Sequence, residues 1–446
     1  MPARARLGWL GSVLIALLMA ASPVRADPRK RSLPDYDGRP EPTTAGHVLL
    51  WIPRIVLSPL YVVSEFVLRR PLGFLISEAE RAHVPQFLYD LFLFGPDHRA
   101  GLVPIAFIDF GFYPSVGLFF FWKDFVPGQE LRVRGATWGS AWLAGSVSDS
   151  IQLDSRTELS FAFRGVRRPD YQYFGIGSST VESDVSRYGA SRVEFGAQLE
   201  AKLGGLSKFA AGAGVRRVHF HRGGFRGHPT LDDRIANGQV ESPPGYANGY
   251  SVVYNHVSLA IDSRRARPES GSGVRVELRA EQLSELAPAD GSGFMHYGGT
   301  AGGFWDLGAS SRVLSLSFAA DFVDPLRAGQ PVPFTELAAI GGGEAMRGFP
   351  PGRLYGRSSA VATLHYRWPI WIWLDGSLQF AVGNVFDAHL AGFAPELLRL
   401  SGAIGIESVG SPDSSFELLL GAGSETFAHG TQLTSLRVIL GTNHGF

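Results

Sequence analysis

Not one cysteine occurs among the 446 residues, and methionine is nearly as scarce, at four. The first absence rules out disulfides and thiolate metal sites, so the fold must close on hydrogen bonds and packing alone. Charge is sparse too: Asp, Glu, Lys and Arg make up 18% of the chain, below the quarter or so usual in soluble domains. The 41 basic and 41 acidic side chains cancel, which removes any bulk attraction toward nucleic acid. A Gly-x-Ser-x-Gly elbow, a His-Glu-x-x-His pair and a phosphate-binding loop are all missing, so the sequence carries no signature of an enzyme. His219 and His221 share a strand face without a convincingly placed third ligand, and read as ordinary histidines rather than a metal pair. No catalytic residue, metal or cofactor is expected.

What the chain has instead is 55 glycines and 12% aromatics. Residues 1–26 read as a signal peptide: Arg4 and Arg6, an apolar stretch from Leu7 to Ala21, then small residues before Asp27. Residues 27–46 are polar and proline-rich, and read as a flexible linker. Over 47–101 a short amphipathic helical periplasmic segment is expected. Trp51, Ile55, Leu60, Val63, Phe66 and Val67 recur at helical spacings, Arg54, Glu65, Arg69 and Arg70 interrupt them, and Pro53, Pro59 and Pro71 forbid one long helix. These helices either lie against the periplasmic leaflet or cap the barrel from below.

From residue 102 the period becomes two. Leu102 to Trp122 holds only Asp109 as a charge, but Pro104, Gly111, Pro114 and Gly117 argue for a hairpin rather than a membrane helix. Further on, Val274, Val276 and Leu278 alternate with Arg275, Glu277 and Arg279, and Leu314, Leu316 and Phe318 alternate with serines. About sixteen strands can be marked between 102 and 446. The long connections, near 169–185, 223–246, 324–356 and 385–398, all follow odd-numbered strands, while turns such as Val126-Pro127-Gly128 and Gly204-Gly205 are tight. A soluble sandwich gives no reason for that parity, whereas a membrane barrel with long external loops and short periplasmic turns does. The fold class is therefore all-β: a transmembrane antiparallel β-barrel of about sixteen strands. In the last strand Leu436, Val438, Leu440 and Phe446 share one face, resembling the terminal targeting strand of bacterial outer-membrane proteins, and closure onto the first strand is required because an open edge in lipid is prohibitive.

The most specific stretch runs from Ala338 to Phe349: Gly341-Gly342-Gly343-Glu344-Ala345-Met346-Arg347-Gly348-Phe349, between an eleventh and a twelfth strand. With Tyr173-Phe174-Gly175-Ile176-Gly177 and Gly383-Asn384-Val385-Phe386-Asp387, it resembles the BamA/TamA family of outer-membrane barrels, also called the bacterial surface antigen family. The resemblance implies that loop 324–356 folds back into the lumen and that acidic and aromatic groups of the inner wall hold Arg347, whose guanidinium offers five donors and keeps its charge. The family's usual acidic positions correspond here to His365 and Ala381, so Asp321, Glu344, Asp375 and Asp387 stand as candidate partners.

The resemblance also implies protein assembly, insertion or translocation at the outer membrane of a Gram-negative bacterium, through a weak seam between first and last strands. Pro104, Gly441 and Gly445 fit such a seam. The segment before residue 102 is too short for the family's periplasmic POTRA domains, which points to a branch without them. The expected partners are outer-membrane lipid, together with client outer-membrane proteins or a separate periplasmic partner. The rival reading is a passive channel or structural surface barrel.

Overall fold

Alternation with a tight turn after every second strand dictates antiparallel neighbours, and the computed structural model shows that arrangement carried through to closure. It describes residues 90–442 apart from 266–270, 287–292, 308–311, 344, 372–373 and 410–415, together with Arg81 and Phe87. The expected signal peptide, the linker and most of the helical segment lie outside the described residues. Where the segment's end is described, residues 90–92 are helical, Leu93–Phe94 is a short strand, and Ala100 already belongs to the barrel.

Sixteen strands form the wall: β1 (Ala100–Asp109), β2 (Ser115–Lys123), β3 (Gln129–Trp138), β4 (Trp142–Gln152), β5 (Thr157–Tyr173), β6 (Ser186–Gly204), β7 (Ser207–Arg222), β8 (Tyr250–Asp262), β9 (Gly273–Glu285), β10 (Gly293–Asp306), β11 (Val313–Pro325), β12 (Ser358–Trp371), β13 (Leu374–Phe386), β14 (Arg399–Ser408), β15 (Phe416–Ser424) and β16 (Leu433–Thr442). Each pairs antiparallel with the next, and β16 returns to β1. The strand expected to end at residue 168 continues to Tyr173. Pro169 interrupts the ladder, and the register shift between Arg168 and Tyr171 absorbs it as a bulge, so pairing with β6 resumes beyond the proline.

The two faces divide as a barrel in hydrocarbon requires. On β6, Val193 and Phe195 stand exposed outside while Glu194 and Gln198 turn inward. On β16, Leu436 is 79% exposed and Arg437 only 3%. The greasy face is therefore the outer one, with nothing in the wall to cover it except lipid.

Among the described residues the closure is the shortest pairing of the wall. Adjacent strands elsewhere share longer registers, such as Thr157↔Ala201 through to Tyr173↔Ser186, while the described part of β16 meets β1 at Ile439↔Asp109, Leu440↔Ile108 and Gly441↔Phe107. At the other end of the same edge, Leu93 and Phe94 pair with Gly101 and Ala100. Among the described residues no strand pairs with Leu102–Ala106 on that side, and Pro104, which has no N–H to offer, stands in the middle. Gly441 has a specific part here. Its φ is +149°, and a Cβ on it would fall 2.3 Å from the Ala106 carbonyl oxygen. Gly441→Ala should therefore push the two strands apart at a cost of about 1–3 kcal/mol. The check is a lower temperature at which the compact band on a cold denaturing gel converts to the unfolded one.

Candidate functional site

The connection from β11 to β12 turns inward rather than outward. It carries its own ribbon, in which Ala338–Ile340 pairs with Leu354–Gly356, and between the two arms lies the glycine cluster. Gly341 and Gly342 adopt φ of +110° and +78°, and the Gly342 amide donates to the Phe349 carbonyl at 2.9 Å, so the arms fold into a hairpin whose tip is Met346-Arg347-Gly348-Phe349. Gly343 has nothing within reach of a Cβ. Ile340, Met346, Phe349 and Leu354 bury against Val361 of β12 and Ala381 and Val385 of β13.

The tip is seated across four consecutive strands. The Arg347 amide donates to Gln379 Oε1 on β13 at 3.3 Å, and the Gly348 amide donates to Ser401 Oγ on β14 at 2.9 Å. Gly348 lies flat on β15: a Cβ there would fall 2.0 Å from the Ala422 carbonyl oxygen, and one on Gly421 would meet the Gly348 Cα at 2.8 Å. The Phe349 ring fills the space that a side chain at Gly423 would need. Three residues without Cβ atoms thus make a slot for backbone and an aromatic ring.

A carboxylate that pairs with the buried Arg347 guanidinium is Glu417, pointing inward from the foot of β15. It was not among the four expected from sequence. Asp321 pairs with Arg279 at 2.6 Å, Asp387 is exposed at the outer end of β13, Asp375 is buried on β13, and Glu344 lies outside the described residues. Of the two positions where the family carries acids, Ala381 packs in the apolar cluster with Phe349, and His365 sits on the inner face of β12. In the last strand, Leu436, Val438 and Leu440 share the outward face, and Phe446 lies outside the described residues.

The seat reaches the seam. Arg437 of β16 donates through Nη1 to the Arg347 carbonyl at 3.3 Å, and through Nη2 and Nε to Asp109 of β1 at 2.9 and 3.2 Å. Both side chains are buried. A buried cation with a two-oxygen partner and an extra acceptor is the geometry in which an ion pair recovers its desolvation cost. One guanidinium therefore ties the first strand, the last strand and the loop tip together.

Two further contacts hold the loop. Glu336 accepts from Arg216 of β7 at 2.8 Å and from the Tyr250 hydroxyl of β8 at 2.6 Å, while Arg216 also reaches Glu194 and Glu281. Arg353, fully buried over the Phe174 ring, donates to Glu182 at 2.9 Å and to Thr180 Oγ1 at 3.1 Å, both in the β5–β6 loop. Glu425, after β15, receives Arg399 at 2.6 Å. Burial drives both carboxylates toward protonation. At Glu182 it prevails over Arg353 and the pKa is raised, whereas at Glu425 the bond from Arg399 overcomes it and the pKa is lowered. The two family-like motifs meet here as well: the Gly177 amide donates to the Tyr355 carbonyl at 2.8 Å, and Asn384 Nδ2 donates to the Ser178 carbonyl at 3.0 Å.

Phe334, with no exposed surface, roofs the lumen among Tyr173, Tyr188 and Phe220, each at 5.3 Å between ring centroids. Phe334→Ala should cost about 3–5 kcal/mol, read as a drop in the unfolding midpoint, because rigid rings leave the cavity open. Below the roof a polar cavity of about 470 Å³ remains, bordered by Glu194, Arg216, His256, Glu281 and His296. Among the described residues no three His, Asp or Glu side chains converge as a metal site.

A closed sixteen-strand wall with an apolar exterior, filled by an inward loop locked to its own seam, defines a plugged transmembrane β-barrel. The family model of the Omp85 superfamily domain matches residues 143–391, more than half of the chain, and the chain belongs to that superfamily. It superposes on BamA from Haemophilus ducreyi lacking POTRA domains 1–3 with a TM-score of 0.54 and 12% identity, over 77% of this chain and 70% of that one. CdiB from Acinetobacter baumannii aligns with a TM-score of 0.47 and 9% identity, over 77% of this chain and 60% of that one. No curated protein sequence matches the chain.

Proposed function

We propose that this barrel acts in the outer membrane of a Gram-negative bacterium in the assembly, insertion or translocation of other outer-membrane proteins, and that the β1–β16 seam is where it acts. The single observation that supports this most is the register between β1 and β16, three residues long among the described residues, beside an edge, Leu102–Ala106, that no described strand covers. Unsatisfied backbone donors and acceptors in hydrocarbon cost several kcal/mol each, so such an edge favours pairing with an incoming strand. Membership of the Omp85 superfamily is consistent with that role. A second reading, a passive channel gated by the loop, draws on the polar cavity under the roof.

The test uses the absence of cysteine. Ile108 and Leu440 are directly opposed, so Ile108→Cys with Leu440→Cys can be joined across the seam and released by reductant. Under the proposal the joined protein, as sole copy, depletes other barrels from the outer membrane, and reductant restores them. Unchanged levels of other barrels, with altered solute permeability only, would favour the channel and overturn the assembly reading.

A further inference from the structure

The outer wall has a hollow in its external half. Gly299 of β10, Ala320 of β11 and Ala360 of β12 stand side by side on the outward face, in register with the exposed Leu278 of β9. Phe318 and Phe322 rise from the same face of β11, below and above that row of small residues. With Phe393 and Leu398 of the loop between β13 and β14, they border an open apolar trough of about 830 Å³. Over its external end lies a polar rim. Ser358, on the outward face of β12, donates to the Asp387 carbonyl and accepts from the Leu390 amide at 2.9 Å, which draws the loop after β13 against the outside of the wall. His389 and Leu390 are held there at φ of +54° and +61°, a conformation that side chains other than glycine rarely take. The His389 ring thereby reaches Phe322, at 6.0 Å between centroids. Its Nε2 lies 2.8 Å from Asp324 Oδ2, to which the Tyr297 hydroxyl also donates at 2.8 Å, and Arg357 Nη2 donates to Oδ1 at 2.9 Å. Two basic groups thus flank a single carboxylate. Both stay accessible, the His389 side chain at 63% and that of Arg357 at 39%, and Arg357 Nη1 has no hydrogen-bond partner among the described residues.

We propose that trough and rim form one binding site for a phosphorylated glycolipid of the external leaflet, with its phosphate on Arg357 and His389 and its acyl chains in the trough. A guanidinium presents a planar fork that matches phosphate oxygens, and the imidazole beside it adds a second donor. The depth is right. From Asp324 down to Ala320 is roughly 13 Å of strand, within the ~15 Å of hydrocarbon in one leaflet. The width is right as well. The floor of small residues crosses β10, β11 and β12, roughly 10 Å from first to last, which is wider than a single acyl chain and suits a lipid that carries several. Glycine and alanine let those chains lie close to the sheet, where they gain contacts that a ridged wall denies them. The position above β10 to β12, at the ends that lead into the long loops, selects the external leaflet over the periplasmic one.

The inference is independent of the assembly role, and its test reads only the folded barrel. The full-length protein in a fixed detergent is titrated with a diphosphorylated, multiply acylated diglucosamine, and bound copies are counted by native mass spectrometry. Arg357→Ala combined with His389→Ala should weaken binding about tenfold. Ala320→Phe, which fills the trough and leaves the rim intact, should weaken it by a similar factor. Ala213→Phe, on the exposed outward face of β7, should change nothing. The same diglucosamine without its phosphates should bind the wild type as weakly as the intact probe binds the rim variant. Binding by the rim and trough variants equal to wild type would overturn the inference. So would phosphatidylglycerol held as tightly as the diglucosamine, or a wild-type dimer that Ala320→Phe splits, which would give the trough to a second copy of the chain.

Discussion

Asp109→Ala lowers the stability of the barrel by about 3–5 kcal/mol, because it leaves the Arg437 guanidinium buried without its counter-charge. The loss is expected at the seam first, since Asp109 is one of three β1 residues in register with β16 among the described residues. The informative comparison is with Asp109→Ala combined with Arg437→Leu. Removing both charges restores most of the stability, because the desolvation cost disappears with the pair. Urea unfolding of the protein in a fixed detergent measures both variants. A double variant as unstable as the single one would mean that the strands themselves, not the ion pair, hold the closure.

Arg347→Ala gives the second large effect, by a different route. It deprives the buried Glu417 of its cation, again at a cost of about 3–5 kcal/mol, but that energy is drawn from the docking of the loop rather than from the wall. The barrel should stay closed at its other strands while the tip leaves the slot over Gly421 and Gly423. Two readouts follow: faster proteolysis between Ala338 and Arg353, and conductance in planar bilayers approaching that of a protein lacking residues 338–353. Glu417→Gln, which keeps the shape and a hydrogen-bond acceptor, should fall between wild type and Arg347→Ala. Conductance unchanged in all three would show that the loop is not what blocks the lumen.

Much of this was legible in the sequence, for identifiable reasons. Period-two alternation and the parity of loop lengths suffice for sixteen strands, since both follow from a lipid-facing outer wall and a directional membrane. The length of β5 was not legible, because a bulge carries the strand past Pro169, a residue that a regular ladder rejects. The inward loop was expected through the family resemblance that its glycines and Arg-Gly-Phe carry. Its acid was not: Glu417 opens the apolar strand Phe416–Ser424, and nothing local distinguishes it from an ordinary strand-end charge. What sequence did contain, unused, is a matched pair of solitary charges. Asp109 is the lone charge of β1 and Arg437 the lone charge of β16. In two strands that must meet in lipid, opposite lone charges are a register signal.

The position of Arg437 also couples two parts of the molecule that are far apart in sequence. Its side chain is fully satisfied only when both Asp109 and the Arg347 carbonyl are in place, so a seated hairpin tip and a closed barrel stabilise each other. The coupling is reciprocal: whatever loosens the plug also loosens the closing strand, and whatever opens that strand frees the plug.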